Sequence, residues 1–341
     1  MTERHPRFAE ALALHRRHPV VDGHADSILG VLEGKRSLVE RSDQGHLDFP
    51  RAREGGLAAT VQTAWPDPVY YPVAARRVLQ QLDGLLGQIE ASGGRAHLAL
   101  SAADVRRCQA EDRLAVVLNV EGAEPLHGEL AMLRVLHRLG VRVLQPVWNH
   151  RNEAADGIVE EHGRGGLSEF GRALVREMNR LGMALDLSHL NQPGFFEVLE
   201  LSTHPVLFTH GNCRALFDHR RNLTDEQIRA LAEGGGVFGI SFVDAFMGDD
   251  PGDYRPVEGS DPGDCRRVAD HIDHAVQLVG PDHVGYGSDF DGTNRLPRGL
   301  EDVSHLPNLT AELLDRGYDE PSLATILGGN YLRVFERVFG A

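Results

Sequence analysis

The chain has 341 residues, of which 41% are hydrophobic and 25% are charged. This is the composition of an ordinary globular protein and excludes disordered and collagen-like chains. No run approaches the roughly 20 apolar residues that a membrane-spanning helix needs. The net charge of -15 argues against a nucleic-acid partner or an anionic membrane surface, because both require clustered Lys and Arg.

The cysteine and histidine contents bear on the compartment and on the chemistry. Cys108, Cys213 and Cys265 are widely spaced and form no C-x-x-C pair, so the sequence predicts neither a disulfide framework nor a thiolate zinc site. Residues 1–18 mix Arg, His and Glu and lack the apolar segment of a secretory signal. We therefore expect a cytoplasmic protein. The 18 histidines are unusual, because His is the commonest metal ligand.

Short apolar runs alternate along the chain with amphipathic stretches. Eight runs are predicted as β-strands, at residues 19–22, 57–62, 114–120, 141–144, 183–187, 205–208, 236–240 and 283–286. Apolar residues spaced three and four apart predict helices at residues 74–90, 129–139, 169–181, 225–233 and 266–279, with two or three more within 309–339. Thr224 and Gln227 form a capping box that begins the fourth of these helices.

This alternation predicts the fold class. Strands that alternate with helices form βαβ units and a parallel sheet, and nearly all-apolar runs fit strands buried on both faces. Eight strands is the number that a closed parallel barrel requires. We therefore predict an α/β protein with a single domain over residues 1–341, a (β/α)8 TIM barrel with extra C-terminal helices on its outside.

Polar side chains recur at one place in this pattern, at or just after the carboxyl end of a predicted strand. They are His24, Asp26, Glu121, Asn149, His150, His189, His210 and Asp289. In a barrel these strand ends converge on one face, which is where active sites are built in this fold. Residues from distant parts of the sequence are thus predicted to meet in one pocket.

His24 and Asp26 have the i, i+2 spacing that places two side chains on one side of an extended segment, where both can bind one metal ion. The alternative is that Asp26 caps a helix and His24 is a hydrogen-bonded core histidine. Glu121 ends a strongly apolar run, and a buried carboxylate must be paired, metal-bound or neutral. A salt bridge to an arginine is the alternative to a ligand role for Glu121.

His189 and His210 follow two further strands. Alone, each is typical of a satisfied core histidine, but with His24, Asp26 and Glu121 they supply more ligands than one tetrahedral zinc ion needs. The set predicts a two-metal site of the kind used in metal-assisted hydrolysis. Imidazole and carboxylate ligands suit zinc, and manganese, cobalt or iron could substitute.

Asp289 follows the last predicted strand, in a segment that also contains Asp291 and Gly292. It is predicted to be either a further metal ligand or a general acid and base beside the metal-bound water. The structural alternative is an ordinary Asx turn, which Asp291 and Gly292 would satisfy better.

Six motifs follow one another along the chain. They are Asp22-Gly23-His24-Ala25-Asp26, Val120-Glu121-Gly122, Asp186-Leu187-Ser188-His189, the stretch from His210 that ends in Arg220-Arg221-Asn222-Leu223-Thr224-Asp225, Gly287-Ser288-Asp289-Phe290-Asp291-Gly292, and Gly328-Gly329-Asn330. In this order they closely resemble the renal (membrane) dipeptidase family of zinc peptidases, peptidase family M19. The resemblance extends from about residue 19 to residue 339.

The resemblance implies an amidohydrolase-type barrel with two zinc ions per chain. His24 and Asp26 would hold one ion, His189 and His210 would hold the other, and Glu121 would bridge both. The implied activity is hydrolysis of the peptide bond of a free dipeptide by a metal-bridging hydroxide.

The same resemblance implies roles for other residues. Arg221 matches the family's clamp for the terminal carboxylate of the substrate, which a guanidinium can bind through two parallel hydrogen bonds. A surface charge is the alternative. Asp289 matches the family's proton-transfer residue. One motif departs, because the family places a histidine after the fourth strand where this chain has Trp148-Asn149-His150. His150, Asn149 or another donor would then contact the substrate.

Several properties stay open at this stage. By resemblance we expect a homodimer, and the missing signal peptide, anchor signal and disulfides indicate the soluble bacterial-type branch. One rival function is a binuclear metal amidohydrolase for an N-acyl amino acid, a lactone or a cyclic amide, and another is a binding protein that has lost catalysis. Specificity, including L or D residues at the C-terminal position, is predicted to reside in loops 65–71, 148–166 and 244–262.

Overall fold

The computed structural model describes residues 4–160, 163, 165–248 and 261–340. Two of the predicted specificity loops, 148–166 and 244–262, lie partly outside these residues. All eight predicted strands are confirmed, and the described residues contain a ninth. The strands are β1 Val20–Ala25, β2 Leu57–Ala64, β3 Ala96–Leu98, β4 Leu114–Glu121, β5 Val141–Gln145, β6 Ala184–Leu185, β7 Leu207–Gly211, β8 Val237–Ile240 and β9 Val284–Tyr286.

The strands form one parallel sheet that closes on itself. Hydrogen-bonded neighbours follow the order β6-β5-β4-β2-β1-β9-β8-β7. The two ends of this path are joined by a parallel bridge between Asp186 and Leu207, and the Leu187 backbone N–H donates to the Leu207 carbonyl at 2.8 Å. Among the described strands, the extra strand β3 pairs only with β4. It is three residues long with two of them half-buried, too short to produce an apolar run.

Helices surround the sheet, and every helix predicted from the sequence is present. The helices are α1 Phe8–Arg17, α2 Ile28–Leu32, α3 Phe49–Glu54, α4 Ala74–Ala91, α5 Ala102–Ala110, α6 Leu130–Arg138, α7 Glu169–Leu181, α8 Gln192–Leu201, α9 Asp225–Glu233, α10 Cys265–Val279, α11 Leu306–Asp315, α12 Glu320–Ala324 and α13 Asn330–Phe339. The capping box of Thr224 and Gln227 is formed at α9. In the described part of the chain no helix is long and apolar enough to cross a membrane.

The interior of the barrel has two layers. The apolar layer belongs to one buried cluster that also includes residues of α5 and α13. The residues that the strands contribute to it are Val21, Ala59, Val61, Ala115, Val117, Val143, Ala184, Leu207 and Val237. Side chains alternate along a strand, so the residue two positions further along points the same way. On five strands that residue is polar and fully buried, and we call these five the polar layer: Thr63, Asn119, Gln145, Asp186 and Thr209.

Tyr331 of α13 fills the centre of the apolar layer. Its hydroxyl donates to the Tyr286 carbonyl at 2.9 Å. Glycines make room for its ring, because a Cβ on Gly23 would lie 2.1 Å from the Tyr331 hydroxyl and one on Gly239 would lie 2.5 Å from it, while one on Gly285 would lie 2.6 Å from the ring. The amino end of the barrel is therefore closed by a side chain from the C-terminal helix.

Candidate active site

The candidate ligands lie at the carboxyl ends of four strands, directly above the polar layer. His24 is in β1 and Asp26 follows it, Glu121 is the last residue of β4, and His210 is in β7. His189 follows β6, and all five side chains are buried. His189 adopts a left-handed φ of 69°, a conformation that costs a non-glycine residue energy and that is found at functional sites.

Glu121 is at the centre of the group. Its Oε1 lies 2.9 Å from His189 Nε2 and 3.9 Å from His210 Nε2, and its Oε2 lies 3.6 Å from His24 Nε2. Asp26 Oδ2 lies 3.4 Å from the same His24 nitrogen. Ligand atoms of His24, Glu121 and His210 fall within 4.8 Å of one another, as do those of His24, Asp26 and Asp289. The structure thus brings the predicted ligands together in two adjoining groups that share His24.

The hydrogen bonds of the imidazoles orient Nε2 of each ring towards the carboxylates. His189 Nδ1 lies 2.7 Å from Asn149 Oδ1, and His210 Nδ1 lies 2.9 Å from Thr209 Oγ1. His24 Nδ1 lies 3.3 Å from Thr63 Oγ1. When the Nδ1 atoms of His189 and His210 carry the protons, their Nε2 atoms, which are 2.9 Å apart, present lone pairs. Lone pairs that converge in this way are suited to a shared cation.

The electrostatics of the site also favour bound cations. Burial raises the pKa of Glu121 to about 7, although His24 opposes this, and Asp26 and Asp289 raise it further. Burial holds the pKa values of His189 and His210 well below the ordinary range, so both rings are neutral, as metal ligands must be. Asp26 Oδ1 is buried and has no hydrogen-bond partner in the described residues. Imidazole and carboxylate donors with an unpartnered buried oxygen fit divalent metal ions such as zinc.

Asp289 lies beside this group in a turn after β9. It has a left-handed φ of 61°. Burial raises its pKa to about 6, which His24 opposes and Asp26 supports. A carboxyl group with this pKa can both accept and release a proton near neutral pH.

A cleft of about 200 Å³ opens above these residues. Asp26, Glu121, His189, His210 and Asp289 line its floor, and the indole rings of Trp65 and Trp148, 5.0 Å apart, form part of its wall. A larger cavity of about 650 Å³ opens at the other end of the barrel, beside the starts of β2 and β4, and none of the candidate ligands lines it. We take the smaller cleft as the active site because it contains the convergent ionisable groups.

Arg221 is buried beside His210. Its Nη2 donates to the His210 carbonyl at 3.0 Å, and its guanidinium carbon lies 5.3 Å from the Phe246 ring centroid. Nε of Arg221 has no hydrogen-bond partner in the described residues. An arginine packed against an aromatic ring with a donor to spare is suited to binding an anion.

Trp148, Asn149 and His150 form the segment that differs from the family motif, and their side chains lie in three different places. Trp148 is in the wall of the cleft. Asn149 is buried behind His189 and accepts its Nδ1 proton. His150 is exposed, with its ring centroid 5.9 Å from that of Trp148. The residue of this segment that faces the cleft is therefore Trp148, whereas Asn149 contacts a candidate ligand and His150 lies outside.

The sequence analysis did not identify the polar layer, which lies below the candidate ligands. Asn119 Nδ2 donates to Thr63 Oγ1 at 3.0 Å, and Gln145 Nε2 and Thr209 Oγ1 both donate to Asp186 at 2.5 Å. The available signal was a polar residue inside each of several strands that are otherwise apolar.

Comparisons with known proteins point to one family. The model of the family described as membrane dipeptidase (peptidase family M19) matches residues 8–340. The protein named Dipeptidase aclJ, from Aspergillus oryzae, is 34% identical over 97% of this chain and 83% of its own length.

Solved structures show the same fold. The dipeptidase AC, a metallo peptidase of family M19, has a TM-score of 0.85 and 35% identity, covering 95% of this chain and 99% of its own. A metallo peptidase from Rhodobacter sphaeroides, liganded with a phosphinate mimic of the dipeptide L-Ala-D-Ala, has a TM-score of 0.84 and 34% identity and covers 94% and 99% of the two chains. The predicted fold class and the family resemblance are thereby confirmed.

Proposed function

Because the chain belongs to the membrane dipeptidase family, peptidase family M19, we propose that this metallopeptidase uses two zinc ions to hydrolyse free dipeptides. The observation that carries the proposal is the convergence of three imidazole nitrogens and two carboxylates on one buried point. Among the described residues, the carboxylates of Asp26 and Glu121 form ion pairs only with the candidate histidines, and none with a lysine or an arginine.

Each zinc ion has its own ligands in this proposal. His24 and Asp26 would hold one ion, His189 and His210 would hold the other, and Glu121 would contribute to both. Bound there, the two ions would lower the pKa of a water molecule and polarise the carbonyl of the scissile peptide bond. Trp65 and Trp148 limit the volume above the ligands and exclude bulk water from the substrate.

Asp289 moves the proton in this proposal. It borders His24 and Asp26, so it lies within reach of a water molecule and of a peptide bond placed over the ligands. Its carboxylate accepts the proton of the attacking water and delivers it to the leaving amine nitrogen. The raised pKa of Asp289 brings it close to the pH at which both transfers are efficient.

Arg221 binds the free carboxylate of the substrate. Its position against the backbone of His210 fixes the guanidinium at a short distance from the peptide bond that is cleaved. A carboxylate held there leaves room for one residue after the scissile bond, which selects dipeptides over longer chains.

The test measures the amino acids released from a panel of L,L and L,D dipeptides by the zinc-loaded protein and by a chelator-treated sample. The L,D members are included because the Rhodobacter sphaeroides relative binds a mimic of L-Ala-D-Ala. We expect cleavage that disappears with the chelator and returns with zinc. Dipeptide amides, which lack the free carboxylate, should be poor substrates.

A panel without any cleavage would contradict the proposal. If the protein nevertheless binds two zinc ions per chain, the rival activities are tested next, with N-acyl amino acids, lactones and cyclic amides as substrates. Cleavage of dipeptide amides as fast as free dipeptides would remove Arg221 from the proposed role.

A further inference from the structure

Asp186 is a fully buried carboxylate that no ion pair among the described residues involves. Its Oδ1 accepts from the Ser188 backbone N–H at 3.0 Å, from Ser188 Oγ at 2.9 Å and from the Thr209 N–H at 3.0 Å. Its Oδ2 accepts from Gln145 Nε2 and Thr209 Oγ1, each at 2.5 Å. Five donors thus surround this carboxyl group in the described part of the chain.

The hydrogen bonds of Thr209 fix the direction in which its hydroxyl donates. A hydroxyl has one proton, and the short contact to the carboxylate of Asp186 uses it. Thr209 Oγ1 can therefore only accept from His210 Nδ1, 2.9 Å away. The nearby Ser188 Oγ gives its own proton to Asp186 and accepts from the His210 backbone N–H at 3.2 Å.

We propose that Asp186, acting through Thr209, is the positioning residue that sets the tautomer of His210 and so prepares its Nε2 to bind a metal ion. The carboxylate orients the threonine proton, the threonine oxygen holds the proton on Nδ1, and Nε2 is left with its lone pair facing Glu121. This inference rests on the proposed two-metal function. His210 Nδ1 contacts a threonine that itself donates to a carboxylate, whereas His189 donates to Asn149 and His24 contacts Thr63.

The substitution Asp186→Asn tests this chain of hydrogen bonds with little change in the shape of the side chain. Gln145 Oε1 has no partner in the described residues, so rotation of the Gln145 amide would let it accept from the new amide. That amide would also donate to Thr209, whose proton would then be free to go to His210 Nδ1. The tautomer that binds metal would no longer be selected.

The readout is zinc affinity, measured by competition with a chromophoric chelator. Loss of a hydrogen-bond partner behind a metal-ligating histidine typically weakens metal binding by about 10- to 100-fold. We expect Asp186→Asn to bind one of the two zinc ions that much more weakly and the other, at His24 and Asp26, as the wild type does. Long-range proton–nitrogen spectra of the metal-free protein with ¹⁵N-labelled histidine should show the loss of one Nδ1-protonated ring.

Thr209→Val and Thr209→Ser provide a second pair that leaves Asp186 in place. The valine removes the hydroxyl and should weaken the same zinc ion, whereas the serine keeps the hydroxyl and should retain wild-type affinity. Wild-type affinity for both ions in Asp186→Asn or in Thr209→Val would overturn the proposal. A wild-type protein that binds fewer than two zinc ions would instead contradict the proposed function, so the two failures are distinguishable.

Discussion

The two layers of the barrel interior are built on opposite principles. In the apolar layer Tyr331 packs into space left by three glycines, and its one polar atom is hydrogen-bonded. Above it, the polar layer and the candidate ligands bury several carboxylates, and one oxygen of Asp26 has no hydrogen-bond partner in the described residues. Packing of the first kind stabilises the fold by itself, whereas buried charge of the second kind destabilises it until a cation binds. The division separates the half of the barrel that maintains the structure from the half that performs chemistry.

The largest expected effect lies on the chemical side of this division. Asp289→Asn should lower kcat for dipeptides by about 10²- to 10⁴-fold, because it removes the group that transfers the proton. Zinc content and melting temperature should stay near their wild-type values. Both are measured on the same preparation as the turnover, and a variant with normal kcat would exclude Asp289 from the mechanism.

Tyr331 provides the matching prediction for the structural side. Tyr331→Ala should lower the free energy of unfolding by about 3–5 kcal/mol, since a large buried aromatic side chain is lost and a cavity remains. Tyr331→Phe keeps the ring and should cost about 1 kcal/mol for the lost hydrogen bond. Denaturant titration measures both. If Tyr331→Phe reduced kcat while leaving stability intact, the two layers would not be separate in function.

Arg221 tests how the substrate is held. Arg221→Met should raise KM for free dipeptides by about 10- to 100-fold, the equivalent of one charge-assisted interaction, with a smaller change in kcat. Its neighbour supplies the matched control, because Arg220→Met changes an adjacent arginine that is not assigned to the substrate. Equal KM values for the two variants would contradict the assigned carboxylate contact.

The last expected effect is a pH dependence of stability at the closed end of the barrel. Burial lowers the pKa of His15 to about 4, and its ring bonds the Gly55 carbonyl and the Thr310 hydroxyl, each at 2.7 Å. The unfolded chain binds a proton at this residue below about pH 6.5, whereas the folded chain does so only near pH 4. Stability should therefore fall as the pH drops from about 6.5 to 4, by at most about 1.4 kcal/mol per pH unit from this residue.

The variant His15→Gln isolates that contribution. It should be less stable than the wild type at pH 7.5, and its stability should fall less steeply with acidification. Denaturant titrations at several pH values between 4 and 7.5 provide the comparison, and parallel slopes for the two proteins would show that His15 does not titrate on unfolding.

Much of this architecture could be predicted from the sequence because its signals are local. Apolar runs located the eight main strands, and polar residues at their ends, such as Glu121 and His210, located the candidate site. β3 was missed because three residues, two of them partly exposed, do not form such a run. The hydrogen bonds among Gln145, Asp186 and Thr209 could not be predicted, since they join three strands whose relative register is set by the closed sheet.

The segment after β5, beside the candidate ligands, shows the same limit of prediction from sequence. Asn149 was predicted as a candidate substrate contact, which stays a prediction; its contact with His189, which depends on the path of the loop after β5, was not foreseen. His150, predicted with it, is exposed. The pattern could place both residues at a strand end, but it could not determine which way each side chain points once the chain leaves the strand.

The seating of Tyr331 among the glycines of β1, β8 and β9 also has a kinetic consequence. Gly23 and Tyr331 are separated by about 300 residues of sequence, so the ring can pack against these glycines only after the first and last strands have paired. Contacts between such distant positions are slow to form, because the intervening chain must first be ordered. Completion of the barrel is thus expected to be a late event in folding, and a chain that lacks α13 should stay arrested with an open, aggregation-prone sheet.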